Sequence, residues 1–396
     1  MVVLKFGGTS VSSKKSLEQI RSILAAKKDN FIVVVSAFSN VTNKLEEIVQ
    51  NALINDSIRI IEEFKGLHLT FINELILIDH QPKLIEHLEL KCNELETICK
   101  GVNILKELSE KTKAQALSIG EQLSSLIVHQ FLNQEKLDIE HIDSCELIIA
   151  NNSHLKAEVD IEKTSKNIKN FIQKKNYITG GFIAKNKLNE IVVLGRGGSD
   201  LTASIYANSI GASSIEIWSD VNGIHSANPK KVKNTLSIDK LSYEEAFEMA
   251  YFGAKVLYPP SILPLIKKKI PLYLKNTFYP NHTGTFISSS NHKTNHKIQG
   301  LSSLNDIAII TISGIGLSRK KGSARKVFET LEKENVNVIL ITQSSSEQSI
   351  GIGLQSEDAK ISKKALDKAF YKEIKNEKIQ PIIITDDQCI IALIGD

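Results

Sequence analysis

Cysteine is scarce: four residues in 396, Cys92, Cys99, Cys145 and Cys389, and no C-x-x-C pair among them. That usage argues against a disulfide scaffold or a zinc site and fits a reduced compartment. An excess of charge of one sign is missing as well, with 49 Lys and Arg against 45 Asp and Glu. With a formal net charge of +4 the chain shows no face-long basic run for nucleic acid, and Lys267-Lys268-Lys269 reads as a solvated helix end. No transmembrane run is present, and the chain opens on Met1-Val2-Val3-Leu4-Lys5-Phe6 without a charged leader, so a soluble, cytoplasmic protein with no membrane partner is expected. The histidines offer one near-pair, His292 and His296, with no third ligand nearby, so no protein-held metal site is expected. Neither the dinucleotide fingerprint nor G-x-x-x-x-G-K-[ST] occurs. What remains is an ordinary globular composition, 42% hydrophobic and 24% charged, long enough for two or three domains.

The most informative stretch is Val192-Val193-Leu194-Gly195-Arg196-Gly197-Gly198-Ser199-Asp200, continuing to Ser204. An apolar strand breaks on three glycines and then opens a helix rich in small residues. Glycines let backbone amides approach an anion, and a helix start adds free N–H groups and a positive dipole end. Arg196 offers a rigid fork for a carboxylate or phosphate, and Asp200 one negative charge for positioning.

Read in order, Val2–Phe6 is a buried strand entering the phosphate-sized turn Gly7-Gly8-Thr9-Ser10, and Ser12 or Ser13 caps a helix. Phe31–Val35 is a second buried strand, followed by the loop Ser36–Asn40 and a helix over about 43–50. Strands without polar alternation, separated by helices, indicate a parallel sheet covered on both faces. Residues 57–130 read as almost wholly helical, with Gly120 breaking the run beside Glu121. Strands resume at about 137–142, 177–182 and 190–194, with a helix between Ile161 and Lys174. Ile215–Trp218 ends in the turn Ser219-Asp220-Val221-Asn222-Gly223-Ile224, where ligands of open parallel sheets collect. Tyr243–Tyr251 is a helix, and Pro271–Asn276 is the last strand of the large unit. The polar run 280–296 reads as a linker or an exposed insertion. Strand 308–313, helix 323–335, strands 338–342 and 349–354, helix 356–371 and strand 381–385 then give βαββαβ, a ferredoxin-like split sheet, with a further strand at 389–394.

Lys5-Phe6-Gly7-Gly8-Thr9-Ser10, Gly195–Asp200, Trp218–Gly223 and Phe252–Leu257 occur in the order and at the spacings of aspartate kinases, within the amino-acid kinase family. The C-terminal unit resembles the ACT regulatory domain. The runs from Gly300 to Asn305 and from Ile341 to Glu347 look closest to the kinase half of bifunctional aspartate kinase–homoserine dehydrogenases. The resemblance implies a three-layer αβα sandwich with a mostly parallel sheet over 1–285. A linker at 286–305 and an ACT domain at 306–386 follow, and 387–396 would be the first strand of an incomplete second ACT unit. The end at Asp396 suggests a piece of a longer parent or a naturally shortened form.

The implied reaction moves the γ-phosphoryl group of ATP to the β-carboxylate of L-aspartate, the first step towards lysine, threonine and methionine. A carboxylate nucleophile is ionised at neutral pH and requires no general base, consistent with the lack of an obvious His–Asp or His–Cys constellation. The chemistry instead requires cancelled charge and in-line positioning. By resemblance, Lys5 is the catalytic lysine and Asp200 orients it, unless Asp200 only caps its helix. Amides of Gly7, Gly8, Gly197 and Gly198, beside Thr9 and Ser10, line the phosphate path. Arg196 takes the α-carboxylate of aspartate and Glu121 its α-ammonium, while Thr42, Ser36, Phe182 and Ser199 line the pocket. Core packing or local capping is the default for Thr42 and Phe182 taken alone.

Nucleotide binding falls to Ser219, Asp220, His225, Lys230 and Lys255, with Mg²⁺ carried largely by phosphate oxygens. Here the chain departs from the family: His225 stands for a tyrosine, Lys230 for an arginine and Tyr258 for a histidine. Gln343 matches a threonine-contacting position, which makes threonine a better expected effector than lysine. A homo-oligomer, dimer or tetramer, is implied. The competing readings are a kinase for another small carboxylic acid and a sensor with a silent kinase fold.

Overall fold

The structure, a computed structural model, describes residues 1–54, 57–253, 256–290, 298–318 and 322–395. The chain divides into two compact units: Met1–Gly300 with the end of the chain from Ile394, and Leu301–Leu393.

In the first unit the strands are β1 (Val2–Phe6), β2 (Phe31–Val35), β3 (Glu140–Ile142), β4 (Ile149–Ala150), β5 (Tyr177–Gly180), β6 (Ile183–Asn186), β7 (Ile191–Val193), β8 (Ser214–Ser219), β9 (Lys240–Ser242), β10 (Leu272–Asn276) and β11 (Thr285–Ser288). Eight of them form one sheet in the order β3-β5-β2-β1-β8-β10-β11-β9, and its central pairs are parallel. β1 and β2 are runs such as Val-Val-Leu-Lys-Phe and Phe-Ile-Val-Val-Val, apolar on both sides, as expected for strands covered on both faces. One face is packed by the helices Lys14–Ala25, Val41–Asn51, Ile58–Leu75, Gln81–Leu105 and Glu110–Gln134, whose apolar stripes join Leu4, Phe6, Val33 and Val35 in one core. The helix Gly198–Ile210 packs on β1, β2 and β8, with Ile161–Phe171 beside it. A second, three-stranded sheet, β4-β6-β7, carries the hairpin that leads into the Gly195–Gly198 turn.

The second unit contains β12 (Ile298–Ser313), β13 (Leu340–Gln343), β14 (Ser349–Gln355) and β15 (Ile383–Gly395), with helices Ser323–Lys333 and Ala359–Ala369. The sheet order β13-β14-β12-β15 is that of a ferredoxin-like βαββαβ fold, and the helices close a core of Ile310, Ile312, Val327, Leu331, Ile352 and Leu366.

Four local expectations need correction. Gly120 does not break its helix, which runs unbroken from Glu110 to Gln134. The glycine is there for clearance: a Cβ at 120 would stand 3.0 Å from Ala37 Cβ and 3.2 Å from Val41 Cγ1. Residues 285–288, read as the end of the large unit and the start of a linker, form β11, paired antiparallel to β10 and parallel to β9. β12 begins at Ile298, well before 308. The strands expected at 381–385 and 389–394 are one strand, because Asp387, at φ +61°, kinks the backbone without ending the pairing. His292 and His296 lie outside the described residues.

Candidate active site

The candidate residues of the first unit gather at the carboxyl edge of the central strands. Phe6 pairs in register with Val35 and Trp218, and Val35 with Gly180, so four strand ends stand side by side. Ligands of open parallel sheets bind at such an edge.

Lys5, one residue from the end of β1, places its Nζ 2.7 Å from Asp200 Oδ1. Asp200 lies in the first turn of the helix Gly198–Ile210, where Gly197 is the N-cap and no side chain caps the turn. Its carboxylate therefore faces the lysine instead of closing the helix. Oδ1 is buried without an aligned hydrogen bond, so the contact is an ion pair that leaves ammonium donors for an incoming anion. A largely desolvated pair of this kind adds little to stability and is more telling as a site feature.

The four glycine amides divide into two groups. Gly7 donates to Trp218 O at 3.2 Å and Gly198 to Gly195 O at 3.0 Å, so those two are already engaged, contrary to expectation. The N–H groups of Gly8, Thr9, Gly197 and Ser199 have no protein acceptor among the described residues. Both turns are packed too tightly for a side chain. A Cβ on Gly8 would lie 2.9 Å from Ala37 O, and one on Gly197, at φ +69°, would overlap Tyr258. Ser10 is buried with its Oγ 2.7 Å from Thr277 Oγ1, whereas Thr9 is exposed.

Glu121 reaches the same edge from the middle of its helix and is 3% exposed. Oε1 accepts a hydrogen bond from the Ala37 amide at 3.2 Å, and Oε2 has no partner. Burial pushes the carboxyl up to about 8, against the pull of the Ala37 amide and, more weakly, of the Lys5 charge. Gly180 makes room for it, since a Cβ there would stand 2.9 Å from Glu121 O. Arg196 is exposed between two glycines of positive φ and makes no ion pair among the described residues. Phe182 sits at φ +67° with its amide donating to Thr202 Oγ1 at 3.0 Å. Ser199 is buried against Gly181, and Ser36 bridges Phe6 O and Ser124 Oγ. Thr42 is half-buried in the first turn of its helix and makes no hydrogen bond through its side chain among the described residues.

On the other side of β1, Ser219 O accepts from Thr277 N at 2.8 Å, and Asp220 is exposed. The His225 ring is tied to Thr235 Oγ1 at 3.1 Å, and Lys230 is exposed in a turn closed by Asn228. Lys255 lies outside the described residues. Gln343 belongs to the second unit, at the end of the exposed strand β13. Sequence reasoning missed Asn222, Asn276 and Thr277. Asn276 Nδ2 donates to Asn222 Oδ1 at 2.8 Å, and Thr277 holds Ser10, so the end of β10 ties both turns together. The signal was available, since Asn276-Thr277 closes a parallel strand at the edge where ligands collect.

A profile described as the amino acid kinase family matches residues 1–276, and one described as the ACT domain matches 310–370. The chain is 34% identical over 404 residues to a bifunctional aspartokinase/homoserine dehydrogenase of Buchnera aphidicola, covering 100% of this chain and 50% of that protein. It is 30% identical over 410 residues to chloroplastic aspartokinase 3 of Arabidopsis thaliana, covering 100% of this chain and 71% of that protein. E. coli aspartokinase III, solved in complex with aspartate and ADP, superposes with a TM-score of 0.87 at 25% identity, covering 100% of this chain and 88% of that one. The chain thus spans about half the length of the bifunctional relatives it matches.

Proposed function

From the membership of this chain in the amino acid kinase family, we propose that it transfers the γ-phosphoryl group of ATP to the β-carboxylate of L-aspartate, giving 4-phospho-L-aspartate and ADP. The observation that carries this reading is that two complementary groups, a buried carboxyl and a guanidinium, stand unmet in one unit. Among the described residues Glu121 holds a buried oxygen without a partner, and Arg196 a guanidinium without a counter-ion. An acceptor that satisfies both carries an ammonium and a carboxylate on one carbon, and its second carboxylate is then free to attack.

Two anions must meet in this reaction, so positive charge and open amides do most of the work. Lys5, held by Asp200, sits where the transferred phosphoryl oxygens would pass, and the amides of Gly8, Thr9, Gly197 and Ser199 supply fixed donors. No proton has to be removed from the nucleophile. Ser219, Asp220, His225, Lys230 and Lys255 are assigned to the nucleotide. A magnesium ion, if bound, would be carried largely by phosphate oxygens and water, and among the described residues no group of three or more His, Cys, Asp or Glu converges to hold one. When bound, the ion would neutralise the β- and γ-phosphates.

The ACT match of the second unit supports control by an amino acid; that the effector is threonine in preference to lysine, with Gln343 as the contact, and that the working form is a homo-oligomer are part of the proposal. The product would enter lysine, threonine and methionine synthesis in the cytoplasm. No helix among the described residues is long and apolar enough to cross a membrane. A coupled ADP-release assay with aspartate, with glutamate and with no acceptor tests the proposal, with threonine and lysine added in turn. Turnover on aspartate alone is expected. Turnover on glutamate would reassign the acceptor, and ligand-dependent melting without turnover would make the chain a sensor.

A further inference from the structure

Both glycines after Arg196 have an aromatic ring where a side chain would stand. A Cβ on Gly197 would fall inside Tyr258, and one on Gly198 would lie 2.8 Å from Phe182 Cδ2. Neither ring is loosely placed. Phe182 holds φ +67°, a conformation that costs an aromatic residue about 1 kcal/mol or more and persists only where the surroundings over-determine it. Those surroundings are Thr202 Oγ1, accepting its amide at 3.0 Å, and Leu194 N, donating to its carbonyl at 2.8 Å. The Tyr258 carbonyl accepts from both Ser261 N, at 2.9 Å, and Ser261 Oγ, at 2.6 Å. Pro259 and Pro260 follow and fix the backbone. The turn Pro259–Ser261 packs on the helix Gly198–Ile210, and Asn208 of that helix donates to Pro264 O. Tyr258 is half-buried, and its hydroxyl has no hydrogen-bond partner among the described residues, so the ring alone makes the contact.

We infer that Tyr258 is a positioning residue: its ring and that of Phe182 clamp the Arg196–Gly198 turn, fixing where the Arg196 guanidinium and the open amides of Gly197 and Ser199 point. The inference rests on the acceptor site proposed above. Arg196, the side chain on the clamped turn, is the residue assigned to the acceptor, so loss of the clamp should show in the aspartate KM, while the Gly197 and Ser199 amides act on the phosphoryl group in transit and should show in kcat. Without the ring Gly197 has empty space on one side, and the turn is then held only by the backbone hydrogen bonds from Leu201 N to Gly197 O and from Gly198 N to Gly195 O.

The test is initial-rate kinetics of the full chain at varied aspartate and ATP, with melting temperatures taken with and without aspartate. Tyr258→Ala is expected to raise the aspartate KM about tenfold to a hundredfold, the penalty of a turn displaced by about 1 Å, with the ATP KM held within about twofold. Tyr258→Phe should restore wild-type kinetics, because only the ring is used. Should Tyr258→Ala fail to fold, Tyr258→Leu fills the space without a flat ring and should show the same KM split. An unchanged aspartate KM in the Ala or Leu variant would overturn the inference. So would an impaired Phe variant, which would point to a hydroxyl contact, or equal rises in both KM values. Absence of wild-type turnover on aspartate would refute the proposed function instead. In that case the aspartate-induced melting shift, lost in the Ala variant and kept in the Phe variant, still reads the clamp.

Discussion

Glu121→Gln should make the protein more stable and a worse kinase at once. In the free protein burial holds the Glu121 carboxyl near 8, against an ordinary value of 4.5. Between those two values the folded chain keeps a proton that the unfolded chain releases, so this group makes stability fall as pH rises from about 4.5 to about 8. A displacement from 4.5 to about 8 corresponds to about 5 kcal/mol against the ionised form, an upper limit that relaxation and water entry reduce to roughly 2–4 kcal/mol. Glutamine keeps the shape and does not titrate. Thermal unfolding across pH 5–9 should therefore show variant and wild type together near pH 5, with the variant ahead by about 4–8 °C at pH 9, taking about 2 °C per kcal/mol for a chain of this size. The aspartate KM should move the opposite way. Only ionised Glu121 pairs with an ammonium, so the wild-type KM should fall about tenfold per pH unit on approaching 8 from below, while the variant stays weak and flat. A melting difference independent of pH, or a wild type more stable than the variant at pH 9, would mean that the carboxyl is already ionised and the argument is wrong.

Lys5→Ala should lower kcat about a thousandfold or more in the coupled assay while leaving the aspartate KM within about threefold, because the ammonium acts on charge that develops during transfer. Arg196→Ala should instead raise the aspartate KM about tenfold to a hundredfold, the loss of one charge-assisted pair, and reversal of the two patterns would exchange the roles. Gly120→Ala puts a methyl 3.0–3.3 Å from Ala37, Val41 and Leu45, so overpacking should cost about 1–3 kcal/mol in urea unfolding and weaken aspartate binding through Ala37. His68 is buried between Phe38 and Phe64, and burial lowers its imidazole to about 4. Unfolding therefore takes up a proton between about 6.5 and 4, and stability falls as pH drops through that window by up to about 3 kcal/mol. His68→Leu should flatten that acid limb in urea titrations between pH 4 and 7.

The sheet of the first unit was legible because its strands are short apolar runs closed by glycine, and β1, β2 and the helix Tyr243–Tyr251 fall where periodicity places them. The Lys5–Asp200 contact was not legible from spacing, since 195 positions separate the two residues and only the β1–β8 pairing and the helix packing on it bring them together. Gly120 misled for a physical reason. A helix interior tolerates one glycine at about 1 kcal/mol, and the close approach of Ala37, Val41 and Leu45 is what requires it. The run 286–305 misled because β11 is only four residues long and sets Phe286 and Ile287 between a threonine and serines, too short an apolar run to stand out from the polar stretch around it, although it pairs with both β10 and β9. The amides of Gly7 and Gly198 were misjudged because a glycine-rich turn shows that backbone can approach a ligand, not which N–H groups its own closure consumes.

The two unmet groups differ in a way that bears on selectivity. Arg196 is an exposed guanidinium, so it attracts any carboxylate and separates few of them. Glu121 is buried, and below pH 8 it is neutral until something pays for its ionisation. A dicarboxylate without an amine, such as succinate, brings no cation and so meets a neutral acid whose Oε2 has no partner. An amino acid brings an ammonium into a dry site, where the attraction that offsets the burial of Glu121 is strongest. Recognition of the amine is thus coupled to a proton leaving Glu121, and aspartate binding below pH 8 should release close to one proton per site. Calorimetry in two buffers of different ionisation enthalpy measures that number directly. A value near zero at pH 7 would place the ammonium elsewhere and leave the buried carboxyl as a packing residue.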